Sequence, residues 1–203
     1  MKLSKLNLLS LLAAASLGFN TGCAPSTSAP IANSFSNPNA AYKANVSELD
    51  QVSPYGTVGS WTGIDIKWKD SAGVVRALSG YSGKVVLLSF WITTPAPGTW
   101  VEHALDSVQT DLGDSVRIVT VAEDESYPNN FTGVYNFVTS GKIRSQVIVD
   151  STNFAHIQYA ELANGNLGVP ETFVLRPNGS IMQYLEAYNS EHILDSAARA
   201  AYH

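Results

Sequence analysis

One run of seven residues constrains the fold of this chain more than any other feature. Val85–Trp91 has the sequence Val-Val-Leu-Leu-Ser-Phe-Trp, in which Ser89 is the one polar residue. An apolar run of this length predicts a β-strand covered on both faces, as in a parallel sheet. The chain must therefore supply neighbouring strands and helices that cover the sheet.

The segments after this strand alternate between helix and strand patterns. Apolar residues at helical spacing predict helices over 99–112, 129–140 and 153–162, and short apolar runs at 116–121 and 146–149 predict the strands between them. Alternating strand–helix units imply parallel strands with helices on both faces of the sheet.

Two hairpins add antiparallel strands to this sheet. Residues 63–69 and 74–78 predict a hairpin before the buried strand, and residues 171–175 and 180–185 flank the turn Pro177-Asn178-Gly179. We therefore predict an α/β fold of three layers, with a central mixed sheet, helices on both faces and an N-terminal β-hairpin.

Three helix ends carry recognisable signals. Thr99 followed by Glu102 forms a capping box, which predicts that the first helix begins at Thr99. Gly113 is predicted to end that helix. Ser190 is predicted to cap a last helix whose buried stripe includes Ile193 and Leu194.

The N-terminus has the composition of an export signal. Lys2 and Lys5 precede an apolar stretch at 6–19, which is shorter than the roughly 20 residues needed to span a bilayer. Residues 1–22 are therefore predicted to be a signal peptide. Thr21-Gly22-Cys23 resembles the bacterial lipobox, in which small residues precede a cysteine that becomes lipidated.

Lipidation of Cys23 would anchor the protein in the cell envelope. Each buried methylene contributes about 0.8 kcal/mol, and two or more acyl chains anchor a protein stably. Ala24 in place of Asp favours sorting to the outer membrane. The alternative is an ordinary signal peptide cleaved nearby, which leaves Cys23 as a free thiol and the protein secreted.

The next segment is rich in Ala, Ser, Asn and Pro and shows no sustained apolar period. This composition predicts a flexible tether over 24–51, whose mean reach is about 30 Å. The predicted organisation is a signal peptide at 1–22, the lipidated cysteine with its tether at 23–52, and one domain at 53–203.

Composition excludes some function classes. The net charge is −5 and charged residues make up 14% of the chain, with no Lys/Arg cluster that could bind nucleic acid. The run Glu123-Asp124-Glu125 is interpreted as a solvated loop, with cation binding as the alternative. The histidines lack metal-ligand spacing, so neither a metal nor another cofactor is predicted; they are His103, His156, His192 and His203.

Three segments carry a resemblance to a known family. Residues 83–91 have the sequence Gly-Lys-Val-Val-Leu-Leu-Ser-Phe-Trp, residues 168–175 have Gly-Val-Pro-Glu-Thr-Phe-Val-Leu, and residues 178–181 have Asn-Gly-Ser-Ile. They resemble the central strand, the cis-proline segment and the following turn of the thioredoxin superfamily, in particular its membrane-anchored thiol-disulfide proteins of the TlpA, ResA and cytochrome c maturation type. The resemblance implies a thioredoxin-like fold from about residue 58 onward, with a cis bond before Pro170.

The chain departs from that family at the active-site motif. Family members have the pattern W-x-x-W-C-P-P-C after the central strand, whereas this chain has Thr94 at the second Trp and Pro95 and Gly98 at the two cysteine positions. The resemblance implies disulfide exchange through an attacking thiolate. Because neither Pro95 nor Gly98 can supply one, we predict no thiol redox chemistry and no catalytic residue at these positions.

The resemblance still implies a binding groove at this site, although the two cysteines are missing. In the family, the cis-proline loop faces the redox motif and its backbone pairs with an extended substrate. We therefore expect a non-catalytic binding or scaffolding module of the cell envelope, whose partner is an envelope protein or peptide. The alternative is that the residues at this site serve only to maintain the fold. The predicted groove residues are Trp91, Thr93, Thr94, Pro95, Val169, Pro170 and Glu171.

Two other functions stay open. One is an enzyme with thiol-independent chemistry in the same cleft, which a buried carboxylate of raised pKa near Glu171 or Glu123 would favour. A flat apolar groove beside Pro170 would favour binding instead. The other is a redoxin-like protein whose thiol-disulfide oxidoreductase activity would be inferred from homology alone.

Overall fold

The computed structural model describes residues 46–53, 58–70, 72–93, 97–123, 131–163, 165 and 168–203. The predicted signal peptide, Cys23 and most of the predicted tether lie outside these residues. The strands and helices are β1 (Val46–Ser53), β2 (Asp65–Lys69), β3 (Val75–Ala77), β4 (Val85–Trp91), α1 (Pro97–Leu112), β5 (Val116–Ala122), α2 (Phe131–Gly141), β6 (Gln146–Val149), α3 (Phe154–Ala163), β7 (Glu171–Leu175), β8 (Ile181–Glu186) and α4 (Glu191–Ala200). No helix in this part of the chain is both long and apolar enough to cross a membrane.

The strands form one eight-stranded mixed sheet in the order β3-β2-β1-β6-β5-β4-β7-β8. Strands β1, β6, β5 and β4 are mutually parallel, and the two hairpins add antiparallel strands at both edges. The predicted α/β class, central mixed sheet and N-terminal hairpin are thus confirmed. The turn at Gly179 has the positive φ of +83° that glycine adopts without strain.

Strand β4 is buried along its whole length, as its sequence predicts. Side chains alternate across a strand, so Val85 and Leu87 pack with α1 and α4 while Val86, Leu88 and Phe90 pack with β2 and α3. Burying apolar area on both faces stabilises the sheet by roughly 25 cal/mol per Å².

Strand β1 corrects the predicted domain boundary. Residues 46–52 lie within the segment predicted as a tether, but they form most of β1. Strand β1 lies between β2 and β6 in the sheet. Its pairing with β2 shifts register between Leu49 and Gln51. Leu49 and Val52 are therefore both buried although they are three residues apart, which breaks the alternating pattern that would have predicted a strand.

The predicted capping box at the start of the first helix is wrong. Helix α1 begins at Pro97, a residue suited to the first helical position, so Thr99 lies inside the helix. Glu102 is fully buried and bonds to Ser145, so it does not close a capping box. The predicted N-cap position of Ser190 is confirmed at the start of α4, although its side chain makes no capping bond.

The topology defines two ends of the sheet. Strands β4, β5 and β6 end at what we call the carboxyl end, where β7 also begins, because Phe90 pairs with Glu171. Strand β8 finishes there too, since Glu186 pairs with Glu171. The opposite end, called the amino end, is where β4 and β5 begin, with Val85 opposite Val116. Strand β1 enters the sheet closer to the carboxyl end, because Val46 is level with Val147 of β6 and Thr120 of β5.

Candidate functional site

The predicted proline segment lies at the carboxyl end of the sheet. The Val169–Pro170 bond is cis, which confirms the prediction from resemblance. Pro170 is buried, whereas Val169 is half-buried and packs against the core. Because β7 starts at Glu171 opposite Phe90, this segment lies beside the end of β4.

The other predicted groove residues are distributed differently. Trp91 is fully buried, and its ring packs against Phe137 of α2 with centroids 5.2 Å apart. It therefore supports this end of the sheet from within instead of lining an open groove. Thr93 is half-buried. Thr94 and Pro95 lie outside the described residues, and Gly98 belongs to the first turn of α1.

Glu171 belongs to a buried cluster of three ionisable side chains. His156 Nε2 lies 2.7 Å from Glu171 Oε2, and its Nδ1 lies 3.0 Å from Glu123 Oε2. The side chains of the three residues are at most 4% exposed. Only a doubly protonated imidazole ring can donate to both carboxylates at once. The cluster thus joins the end of β5, helix α3 and the start of β7 through one ring.

Surrounding groups fix the orientation of His156 and Glu171 in this cluster. The His156 ring stacks on Phe90, with centroids 4.5 Å apart and planes 10° from parallel. The Tyr184 hydroxyl donates to Glu171 Oε1 at 2.6 Å. Asp150 accepts a bond from the Ala155 N–H at 2.9 Å, which anchors the first turn of α3. His156 and Glu171 are therefore each held by a neighbour outside the cluster, whereas the Glu123 carboxylate is held by His156.

The charges of the cluster are strongly coupled. Burial opposes protonation of His156, but hydrogen bonds and negative charge from Glu123 and Glu171 outweigh it and raise the pKa of His156 above its ordinary value. Burial raises the pKa of Glu123, which the bond to His156 only partly offsets. The remaining oxygen of Glu123 has no partner among the described residues. The cluster is thus a site that holds a proton inside the protein.

Known proteins resemble this chain in fold and not in overall sequence. The sequence matches no protein-family model and no curated protein. Solved structures do match. StoA from Bacillus subtilis is 21% identical, with a TM-score of 0.55 over 66% of this chain and 95% of that chain.

Two further matches agree with the first. A thioredoxin family thiol:disulfide interchange protein from Chlorobium tepidum TLS is 16% identical, with a TM-score of 0.59 over 74% of this chain and 97% of that one. A secreted Mycobacterium tuberculosis disulfide oxidoreductase is 17% identical, with a TM-score of 0.52 over 64% and 90%. The chain has a thioredoxin-like fold. Likeness at these identities establishes the fold and leaves the activity to be argued from the site.

This thioredoxin-like domain lacks the cysteines that thiol-disulfide exchange requires. Cys23 is the one cysteine in the 203-residue sequence, and it precedes the described domain. Exchange between two cysteines proceeds by thiolate attack on a disulfide. Residues 46–203 contain no cysteine, so the domain cannot carry out this exchange by itself.

Sequence reasoning missed the cluster, although signals for it exist. The solvated-loop interpretation of Glu123 is wrong, because Glu123 directly follows β5 and is 5% exposed. The spacing of His156 argues against a metal-ligand motif but does not place its side chain, which is fully buried. His156 adjoins Ala155, and Tyr159 and Ala160 lie one helical turn further along the same buried stripe of α3. That stripe would have predicted a buried histidine in need of partners.

A second buried acid belongs to α1. Glu102 is fully buried, and its Oε2 accepts a bond from Ser145 Oγ at 3.4 Å. Its other oxygen has no partner among the described residues. Burial raises the pKa of Glu102 to about 8. This carboxyl group is therefore mostly protonated at neutral pH.

Proposed function

We propose that this protein is a thiol-independent binding module of the cell envelope that holds an extended polypeptide segment at the carboxyl end of its sheet. The observation that carries the proposal is the backbone of Val169. Within the described residues, its N–H and C=O make no hydrogen bond. The neighbouring residues from Glu171 onward are paired with strands on both sides.

An unpaired backbone directly before a strand can act as a recognition element. Buried N–H and C=O groups are almost always paired in native proteins. An extended peptide can satisfy them by adding as a strand, in which case backbone bonds give affinity and adjacent pockets give specificity. This mode of recognition needs no nucleophile, which fits a domain without cysteine.

A rigid support strengthens this proposal. The strand that follows Val169 starts at Glu171, which is bonded through its two carboxylate oxygens to His156 and to Tyr184. The Ser89 hydroxyl also donates to the Glu171 carbonyl at 3.1 Å. Preorganised recognition elements lose less conformational entropy on binding. The segment beside Pro170 is therefore suited to receiving a partner without rearrangement.

The proposed location follows from the N-terminal sequence. The predicted export signal and Cys23 precede β1 in the sequence, so an anchor at Cys23 would hold the domain at the cell envelope. The proposed partner is therefore an envelope protein or peptide.

A bulky side chain at the carboxyl end of the sheet should prevent the partner from binding at Val169. Thr93→Trp adds a large side chain at a half-buried position that follows β4. We expect the set of envelope proteins recovered with the variant to lose members present with the wild type, as measured by affinity purification and mass spectrometry. Val75→Trp, at a 50%-exposed position on the edge strand β3, is the matched control. An identical partner set for wild type, Thr93→Trp and Val75→Trp would overturn the proposal, provided circular dichroism shows that both variants fold.

An enzyme with thiol-independent chemistry is the second candidate. The observation that favours it is the buried Glu123, whose pKa is raised and which adjoins His156 and Glu171. A carboxyl group in such surroundings suits acid–base chemistry. Binding takes precedence because these three side chains are at most 4% exposed, so a substrate would reach them only after the carboxyl end of the sheet opened.

A further inference from the structure

We infer that the segment bound at the carboxyl end carries a Lys or Arg side chain, which a groove between α1 and α4 receives. This inference rests on the proposed function and names the chemistry of its partner. The groove, called the aromatic groove below, has a volume of about 340 Å³ and is lined by Trp100, His103, Ala104, Ser107, Tyr188 and Glu191.

Two exposed aromatic rings define this groove. Trp100 is 58% exposed and Tyr188 is 46% exposed. Their ring centroids lie 6.0 Å apart with planes 80° from parallel, so they support each other's orientation. Large aromatic side chains left in water side by side are typical of recognition surfaces.

The aromatic groove lies at the same end of the sheet as Val169. Tyr188 follows Glu186, the last residue of β8, which pairs with Glu171 at the start of β7. Trp100 belongs to the first turn of α1, and α1 begins where β4 has ended. A segment that pairs with Val169 can therefore extend toward the aromatic groove along one end of the sheet.

Basic side chains are distributed unevenly along the part of the sheet formed by β4–β8. Lys69 lies level with the carboxyl end, but it belongs to β2, which four strands separate from β7, and it is paired with Asp50 at 2.7 Å. Exposed carboxylates at the carboxyl end come from Glu186 and Glu191. Within the described part of β4–β8 and α1–α4 with their connections, each Lys or Arg lies toward the amino end, where strands β4, β5 and β6 begin and β7 and α4 finish; these residues are Lys84, Arg117, Lys142, Arg144, Arg176 and Arg199. The surface around Val169 and the aromatic groove is therefore complementary to a cation.

The side chains in the groove select a cation over other ligands. A Lys ammonium or Arg guanidinium within about 6 Å of an aromatic centroid is attracted by the electron-rich face of the ring, most strongly by Trp. Glu191 supplies a carboxylate that would pair with the same cation. An apolar side chain would remove water from Glu191 without pairing its charge. An acidic side chain would be repelled by Glu191. Aromatic faces beside a carboxylate thus match a basic side chain.

Short basic peptides test this inference directly. Hexalysine amide, fully acetylated hexalysine amide and hexaglutamate are titrated into the full chain, with tryptophan fluorescence and calorimetry as readouts. We expect saturable binding of hexalysine only. Trp100→Ala should weaken it about fivefold and Glu191→Gln about twofold, whereas Phe154→Ala, which removes a 38%-exposed aromatic on α3, should leave it unchanged. Equal binding by Trp100→Ala and wild type would overturn the inference, because attraction to the net negative charge would then explain it.

The amide resonance of Val169 separates this inference from the proposed function. Hexalysine binding that depends on Trp100 and also shifts the Val169 amide supports both. Acetylated peptide that shifts this amide as strongly as hexalysine overturns the preference for a cation and leaves the proposed function standing. Binding that depends on Trp100 but leaves the Val169 amide unmoved, together with an unchanged partner set for Thr93→Trp, overturns the proposed function.

Discussion

Replacing His156 with Ala is expected to lower the free energy of unfolding by about 3–5 kcal/mol at pH 7, because removing one partner of a buried ion pair leaves uncompensated charge. His156 bonds to both Glu123 and Glu171, and all three side chains are almost fully buried. Without the ring, two carboxylates would face each other across a cavity. They would have to protonate or hydrate, and either change costs stability.

The effect should depend on pH in a defined direction. The pKa of His156 is raised in the folded state, so its contribution is fully present below the ordinary value near 6.5 and is lost as pH rises through the raised value. In the variant, the carboxylates are neutralised by protonation at low pH. Between pH 5 and 7 the wild type loses only the part of the His156 contribution that falls above about pH 6.5, whereas the variant must keep protons on carboxyl groups that ionise freely in the unfolded state. The second effect spans more of this pH interval, so the difference between wild type and His156→Ala should be larger at pH 7 than at pH 5.

Urea unfolding followed by fluorescence at both pH values measures this difference. His192→Ala is the matched control, because His192 is exposed on α4. A triple variant that adds Glu123→Gln and Glu171→Gln should recover part of the loss at pH 7, since it removes the unpaired charges but retains the cavity. A triple variant no more stable than His156→Ala would show that packing, and not charge, explains the effect.

Replacing Glu102 with Gln should stabilise the protein at alkaline pH. Glu102 is fully buried and its pKa is about 8, whereas an unfolded Glu titrates near 4.3. The unfolded state therefore releases a proton that the folded state retains, and wild-type stability falls as pH rises between these two values. One pKa unit corresponds to about 1.4 kcal/mol, so ionisation costs at most about 4 kcal/mol between pH 5 and 8. Gln has nearly the same shape and does not ionise.

We expect Glu102→Gln to match the wild type within about 1 kcal/mol at pH 5 and to exceed it by about 2–4 kcal/mol at pH 8. Denaturant unfolding at the two pH values provides the measurement. Glu161→Gln, on the exposed side of α3, controls for the change in net charge. If Glu102→Gln gained nothing over wild type at pH 8, the buried carboxyl group would have to be ionised and solvated in the folded protein.

The fold could be predicted because its strands carry strong local patterns. The predicted bounds of β4, β6 and β7 agree with the structure, since strands covered on both faces of an α/β sheet are nearly continuous apolar runs. Helix ends were less predictable. Thr99 and Glu102 have the spacing of a capping box, but the position of Pro97 and the burial of Glu102 override that signal.

The buried cluster could not be assembled from sequence alone. His156 lies 33 residues from Glu123 and 15 from Glu171, so only the order of β5, β4 and β7 in the sheet brings them together. The pattern of each residue alone fits an ordinary loop, helix or strand position. Strand β1 was missed for a local reason, because the irregular register after Leu49 disrupts its alternation.

Photo-crosslinking from position 169 in native cells tests the central claim, namely that the carboxyl end of this thioredoxin-like domain captures a polypeptide without thiol chemistry. A photoreactive amino acid replaces Val169 in the full chain, and one replacing Val75 serves as the control. We predict a discrete adduct from position 169 that is absent from position 75 and is unchanged when cellular thiols are alkylated beforehand. Identical adducts from both positions, or an adduct from 169 that disappears after alkylation, would contradict the account.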